Sequence, residues 1–340
     1  MKKSILLGAV LASLAGAAAA QSTVTAFGVV DLAMRQAKSS GKTLNLLATD
    51  GNSSSRLGFR GTEDLGDGLK ANFWIEAALA ADVGTQGSDT ARFWSRRATV
   101  SLSDSKLGEI RLGRHKTAAR LVIDGFTPFE TAGIADISKV YSLLGSAADT
   151  LNRADNQVAY NLPDNLGGLY GTLEVGAGEG TDGKKYKSAR LGYKDGALNI
   201  AGGLADTDAK ASSYKLNVIG ASYNFGPATV QATVGNTKFN AAKQSIYTVG
   251  VIVPVVGDSS FRAHYASSNA NAAAEALSGV GDIKLLTLGY VHAVSKRTAL
   301  YMTVAEIKNS GKSAVAIAGS PTVTAGQKSS AFDVGLRHSY

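Results

Sequence analysis

The chain has 340 residues, among them 39 glycines, 5 prolines and no cysteine; 44% are hydrophobic, and Lys and Arg exceed Asp and Glu to give a formal net charge of +8. Without cysteine, disulfides contribute nothing to stability. The basic residues are spread along the chain rather than gathered in one patch with interleaved aromatics, which speaks against nucleic-acid binding.

The chain opens with Lys2 and Lys3, an apolar run from Ile5 to Ala15, and the small residues Ala17 to Ala20. This is the pattern of a secretory signal with an A-x-A site at Ala18, Ala19 and Ala20. Residues 1–20 are therefore expected to be cleaved, and residues 21–340 to form a single domain carrying a net charge of +6. The apolar run is too short to cross a bilayer as a helix, and no later stretch reaches the roughly eighteen apolar residues a membrane helix needs. Apolar residues are instead dispersed and alternating, as a barrel wall with a wet interior requires. A soluble secreted β-protein shares that composition, so the count of strands and turns decides.

In the first strand Val24, Ala26, Gly28, Val30 and Leu32 share one face, which turns Thr25, Phe27 and Asp31 to the other. Short connections with strong turn chemistry follow at 63–68, 104–108, 163–168, 194–196, 225–227, 255–258 and 294–296. Longer polar segments lie near 36–52, 82–91, 116–150, 179–184, 206–212, 238–242, 268–281 and 310–328. Seven short turns alternating with eight long loops separate sixteen strands, with both chain ends on the short-turn side. The expected fold is all-β: a 16-stranded antiparallel transmembrane β-barrel in the bacterial outer membrane, with short periplasmic turns and long extracellular loops.

Parity then assigns an interior. Leu57 and Phe59 outward turn Arg56 and Arg60 inward; Leu69, Phe73 and Ile75 outward turn Trp74 and Glu76 inward. Val158 and Tyr160 outward place Arg153, Asp155 and Gln157 inside. A charge at mid-height on the lipid face costs roughly 2–4 kcal/mol, so these inward assignments carry more than pattern. Alternation through Ala98, Val100 and Leu102 makes Arg97 inward and leaves Arg96 outside unless a bulge intervenes, and both remain candidates. Arg56, Glu76, Arg96 and Arg153 lie eight to ten residues from the nearest short turn, near mid-height on one arc.

The 116–150 segment is longer than a passive connection needs and contains Phe126, Pro128, Phe129, several aliphatics and the acids Asp124, Glu130 and Asp136. It is expected to fold into the barrel and set these acids against the arginines across a constriction, whose acidic residues would then be Asp124, Glu130 and Asp136 with Glu76 of the wall. The final stretch, Ser329 to Tyr340, alternates strictly, with Phe332, Val334, Leu336, His338 and Tyr340 on one face. It is expected to close the barrel against the strand around Val24 to Leu32, with Phe332 and Tyr340 as closure and assembly signals. His115, His264, His292 and His338 lack the serine and acid company of a catalytic base, and neither a metal-ligand spacing nor a phosphate loop is found. No catalytic residue, metal or cofactor is expected.

The stretches VTAFGVVD (Val24 to Asp31), SRLGFRGTEDLGDGLKANFWIE (Ser55 to Glu76), SRRATVSLS (Ser95 to Ser103), LGEIRLGRH (Leu107 to His115), SYNFG (Ser222 to Gly226), LGYVHAVSKRTALY (Leu288 to Tyr301) and VGLRHSY (Val334 to Tyr340) together resemble the general porins of β-proteobacteria. The similarity is greatest to the anion-selective members of the Comamonas/Delftia type. It implies a homotrimer with an inward-folded third loop, passing small hydrophilic solutes, preferably small anions, by passive diffusion. It also implies contact with outer-membrane lipid, lipopolysaccharide and the barrel-assembly machinery. In the anion-selective members an arginine cluster marks the constriction, and Arg56, Arg96 and Arg153 match it, which favours Arg96 over Arg97. The family's DPFG-like loop element is here TPFETAG (Thr127 to Gly133), with the leading acid replaced by Thr127. Two alternatives stand beside this reading: a weakly selective porin with cation preference or none, and a barrel whose exposed loops serve surface recognition.

Overall fold

The structure, a computed structural model, describes residues 23–87 and 89–340; the expected leader, 1–20, lies outside them. Its strands in chain order are β1 (Thr23–Ser39), β2 (Lys42–Thr49), β3 (Arg56–Gly66), β4 (Leu69–Ala80), β5 (Thr85–Gln86), β6 (Arg97–Asp104), β7 (Gly108–Lys116), β8 (Arg153–Asn161) and β9 (Leu169–Gly176). They continue with β10 (Tyr186–Asp195), β11 (Leu198–Ala209), β12 (Ser212–Asn224), β13 (Thr229–Phe239), β14 (Ala242–Pro254), β15 (Ser260–Ala270), β16 (Ile283–Ala293), β17 (Thr298–Asn309) and β18 (Lys328–Ser339). Two short helices, α1 (Ala118–Gly125) and α2 (Ala272–Ser278), sit in the long loops.

The wall strands pair antiparallel with their neighbours along the chain, and β18 returns to β1, so that among the described residues the sheet closes on itself. β2 and β3 occupy successive parts of the same edge of β1 and together form one wall strand, broken at 50–55. β5 is a two-residue ribbon on the end of β4, outside the count. Among the described residues the closed wall therefore has sixteen strands, as the alternation of turns and loops implies.

The loop boundaries differ from expectation in three places. Segment 36–52 is not a loop: β1 continues to Ser39, turns at Ser40 and Gly41, and returns as β2. Segments 206–212 and 238–242 are tight hairpins as well. The β11–β12 turn uses Lys210 (φ 49) and Ala211 (φ 55), two left-handed residues in succession. A hairpin of that twist favours Asn-Gly, so a Lys-Ala turn has no legible signature and its polar flanks read as loop.

The seam also differs in register. β18 pairs with Val29 to Ser39 rather than with the strand from Val24, while Thr23 to Phe27 pair only with β3 among the described residues. Tyr340 exchanges both backbone hydrogen bonds with Gly28, at 3.1 and 3.2 Å. Directly across the seam Arg35 and Asp333 form a bidentate pair at 2.7 Å on each arm, their side chains only 3% and 0% exposed.

Outward residues of the wall form an exposed apolar belt, while the interior is divided. From β11 round to β18 it presents Ala201, Leu216, Val218, Ile246, Leu285 and Ile307, all buried. From β3 to β8 it presents the arginines, Trp74 and Glu76. The apolar half is covered by the 117–150 loop, and the polar half borders the lumen. The 310–327 loop is not free display either: Ile317 is buried in the same core, and its backbone N–H donates to Ser329.

Candidate pore constriction

The third long loop leaves β7 at Thr117 and immediately forms α1. The exposed N–H groups at the helix start meet wall acceptors: Ala118 donates to the Glu174 carboxylate at 2.5 Å and Ala119 to the Ser188 hydroxyl at 3.2 Å. An anion at a helix N-terminus offsets its unpaired donors. Beyond that anchor the loop seats against inward-facing glycines of the wall. A Cβ at Gly203 would lie 2.9 Å from Ala119, one at Gly220 2.2 Å from the Phe126 ring, one at Gly250 2.5 Å from Pro128, and one at Gly289 2.8 Å from Phe129. Four strands thus lack a side chain where the loop needs room, and Val122, Ile123, Phe126, Phe129, Ile134 and Ile137 become buried.

The loop tip docks on the 50–55 break. Asp31 accepts the backbone N–H groups of Gly51, Asn52 and Ser53 at 3.1, 3.0 and 2.7 Å, and the Tyr301 hydroxyl as well. This holds the break turned inward, where Gly133 (φ 59) packs on Gly51 so closely that a Cβ would lie 2.2 Å from its carbonyl oxygen. The loop is consequently fixed at its helix, along the glycine track and at its tip.

A lumenal cavity of about 1340 Å³ borders the loop on one side and the basic arc on the other. Every expected constriction residue lines it: Arg56, Arg60, Arg96, Arg97 and Arg153, with Glu76, Asp124, Glu130 and Asp136. Both Arg96 and Arg97 reach the lumen. Arg97 does so as the first residue of β6, by alternation; Arg96 lies in the bend just before it, where alternation imposes nothing. The apparent conflict between parity and family resemblance therefore dissolves.

Arg97 lies over the Trp74 ring, 4.3 Å from its centroid, and Arg60 sits 5.2 Å from the same ring and 5.4 Å from Phe27. Phe27 meets Trp74 edge-on at 5.2 Å, which a Cβ at Gly58 would prevent. Guanidinium groups packed on aromatic faces are held in place without losing charge. Arg153 donates to the Arg96 carbonyl at 2.9 Å, and Arg56 to that of Ser54 at 3.0 Å. On the short-turn side a second cavity of about 490 Å³ shares Arg60, Trp74 and Arg97 and ends at the Arg111–Glu109 pair. The same guanidinium groups thus face both halves of the path.

The acidic side departs from the expected picture of loop acids facing the arc. Glu76 is a wall residue inside the arc; it binds Arg96 at 2.5 Å, stands 3.9 Å from Arg56, and accepts the Trp74 indole N–H. Asp124 belongs to a clamp, with Lys116 at 2.5 Å, Arg120 at 2.7 Å and the Thr131 hydroxyl at 3.0 Å. Burial would push its carboxyl up, but Arg120 and Lys116 outweigh burial and hold it below the usual carboxylate range. Asp136 accepts from the Ser138 N–H and hydroxyl and caps a single 3₁₀ turn, Ile137–Val140. Glu130 (φ 50), followed by Thr131 (φ 56), is exposed at a left-handed turn of the loop and forms no ion pair among the described residues. Asp155 is drawn off the cavity lining by Arg92 and Arg114, each at 2.7 Å, beside the left-handed residue Asn156 (φ 54) that breaks the alternation of β8.

Sequence reasoning missed Lys116, Arg120, Lys139 and Arg262, all lining the cavity. Arg262 reaches over from β15 to the Pro128 carbonyl at 3.0 Å. Its inward parity was available, but nothing in the sequence places it opposite the arc. In total ten Arg and Lys side chains line the cavity against six carboxylates, so the cationic side prevails. At the seam, Phe332 and Tyr340 both face outward and exposed.

The sequence profile of the Gram-negative porins matches residues 8–312. Outer membrane porin protein 32 of Delftia acidovorans is 34% identical over the full length of both chains. The anion-selective porin from Comamonas acidovorans superposes with a TM-score of 0.83 at 33% identity, over 94% of this chain and all of that one. OmpT of Vibrio cholerae in its trimer form matches at a TM-score of 0.65 and 17% identity, over 94% and 99% of the two chains, which speaks for the fold alone.

Proposed function

This chain belongs to the Gram-negative porin family, and on that premise we propose that its channel prefers anions. As an outer-membrane porin it passes small hydrophilic solutes by diffusion through a water-filled barrel; preference is decided by the fixed charges at the narrowest part. One observation carries the reading. Arg60, Arg97 and Arg153 line the cavity with no carboxylate within ion-pair distance among the described residues, while Glu76 and Asp124 are each held by cations. An anion entering this stretch meets guanidinium groups that are already positioned and not neutralised. The anion-selective porin from Comamonas acidovorans supports the same direction. Solutes pass unchanged, and the reading assigns the channel no catalytic step.

The purified protein in a planar bilayer across a potassium chloride gradient tests this. The reversal potential is expected on the chloride side, and the triple change Arg60→Gln, Arg97→Gln, Arg153→Gln is expected to move it toward zero. The shift should be greatest at low salt, where the Debye length is about 30 Å at 0.01 M against about 3 Å at 1 M. A wild-type potential on the potassium side would establish the cation-preferring alternative instead.

Three further assignments belong to this reading. Cleavage after Ala20 leaves residues 21–340 as one barrel domain, which N-terminal sequencing of outer-membrane material would read as Gln21. The barrel assembles as a homotrimer, through exposed apolar residues such as Val24, Met34 and Leu47 on the outer face around β1. Outward Phe332 and Tyr340 serve recognition by the barrel-assembly machinery.

A further inference from the structure

Trp74 of β4 stands at the centre of the basic arc, opposite Arg60 on β3 and opposite Thr99 on β6. Two residues along the same inward face is Glu76, and directly opposite Glu76 on β6 is Arg97. Opposite charges in that position ordinarily pair across the strands. These two stay apart. Among the described residues Arg97 forms no ion pair; it leans diagonally over the Trp74 ring, 4.3 Å from the centroid, and its Nε donates to the Thr99 hydroxyl at 2.9 Å.

The carboxylate is occupied elsewhere. Glu76 Oε1 takes Arg96 at 2.5 Å and stands 3.9 Å from Arg56, so a single oxygen serves both guanidinium groups. Oε2 accepts the Trp74 indole N–H at 3.2 Å. A carboxylate among arginines favours the two-pronged pair, which would use both oxygens. Here a neutral donor holds the second oxygen, and it belongs to the ring that carries Arg97 on its face. That ring is itself fixed: Phe27 meets it edge-on at 5.2 Å, and Arg60 lies 5.2 Å from its centroid. One indole therefore holds both partners of an ion pair that the strand register invites, and neither contact neutralises a charge.

We propose that Trp74 is a positioning residue for ion preference: by taking the Arg97 guanidinium on its ring and the second Glu76 oxygen on its N–H, it keeps Arg97 free to meet anions in the lumen. The inference rests on the proposed role of the fixed charges and deepens it, since it makes preference depend on a neutral side chain. Without the N–H, Glu76 Oε2 is left partly buried and unpartnered, a costly state that the arginine opposite relieves. Arg97 lines the lumenal cavities of both halves, so its neutralisation weakens the basic lining on both sides of the constriction.

The reversal potential across a potassium chloride gradient tests it at constant formal charge. Trp74→Phe keeps an aromatic ring and removes the N–H. The chloride-to-potassium permeability ratio is then expected to fall about threefold, the effect of one unit charge roughly 6 Å from the path under water-like screening. Trp74→Leu should lower it at least as far. In a Glu76→Gln background, where no carboxylate remains there to capture Arg97, Trp74→Phe should change nothing further, a coupling that a loss of packing alone would not produce. Biosynthetic replacement of tryptophan by benzothienylalanine, which keeps the shape of the ring without the N–H, makes the same deletion with no change of packing. Trp94→Phe, the control for the chain's second tryptophan, should leave the ratio at its wild-type value. An unchanged ratio in the Trp74→Phe or benzothienylalanine protein overturns the proposal, and so does an equal fall with and without Glu76. A wild-type potential on the potassium side defeats the anion-preference reading alone, because Trp74→Phe is scored by the direction of its shift.

Discussion

At the residue scale, the constriction depends on which charges are already spent. Asp124 supplies no free charge to the pore, since Lys116 and Arg120 hold it. Its carboxyl lies below the usual range in the folded protein, so the stability it adds is present above the ordinary carboxylate pKa of about 3.9 and is lost only as pH falls through the lower folded value. Conductance recorded at pH 7 and pH 5 should therefore show no loosening of the loop. Asp124→Asn, by contrast, leaves Lys116 and Arg120 facing one another at every pH, and single-channel traces should show frequent closures. Glu130 is the opposite case, an exposed carboxylate with no partner among the described residues. Glu130→Gln is expected to raise the chloride preference in the reversal potential without changing loop behaviour. The inward arginines of β3 and β8 were legible from two-residue spacing. The spent or unspent state of each acid was not, because it depends on side chains as distant in sequence as Arg92, in the loop before β6, and Asp155 of β8.

At the scale of elements, the third loop is held by absent atoms as much as by contacts. Gly203, Gly220, Gly250 and Gly289 are ordinary inward positions of their strands, and each leaves the volume that a loop side chain takes. Gly220→Val should cost roughly 1–3 kcal/mol through overpacking against Phe126. The expected result is a loop displaced toward the arc and a lower single-channel conductance, whereas Gly202→Val, at a site open to a Cβ, should leave conductance unchanged. The inward fold of this loop was legible from its length and its aromatic and aliphatic residues. The receiving glycines were not, since a glycine inside a strand reads locally as a bulge or a weak point. The three hairpins misread as loops teach a related lesson: in the β11–β12 hairpin, left-handed Lys210 and Ala211 adopt their turn because the flanking strands are already paired in the wall.

At the scale of the whole molecule, closure depends on β1 meeting β18, and the seam is marked by the buried pair of Arg35 and Asp333. Removing one member of a buried pair costs about 3–5 kcal/mol, since it strands the other charge. Asp333→Ala should lower the temperature at which the barrel loses its compact gel mobility, and Arg35→Met with Asp333→Leu should recover most of that loss. Tyr340→Ala, which removes a ring lying against Gly28, is expected to reduce the yield of inserted barrel before it alters selectivity. By itself the sequence determined the strand number, the inward arginines of β3 and β8 and the loop that folds inside. Those follow from local periodicity, from the cost of charge in lipid and from the length and composition of one segment, all of which are carried by the chain in sequence order. Only the tertiary structure decided the seam register, the glycine track under the third loop and the charges left unpaired in the lumen. All of these require knowing which residues of separate strands stand side by side, and in a closed sheet that follows from the pairing of the whole wall.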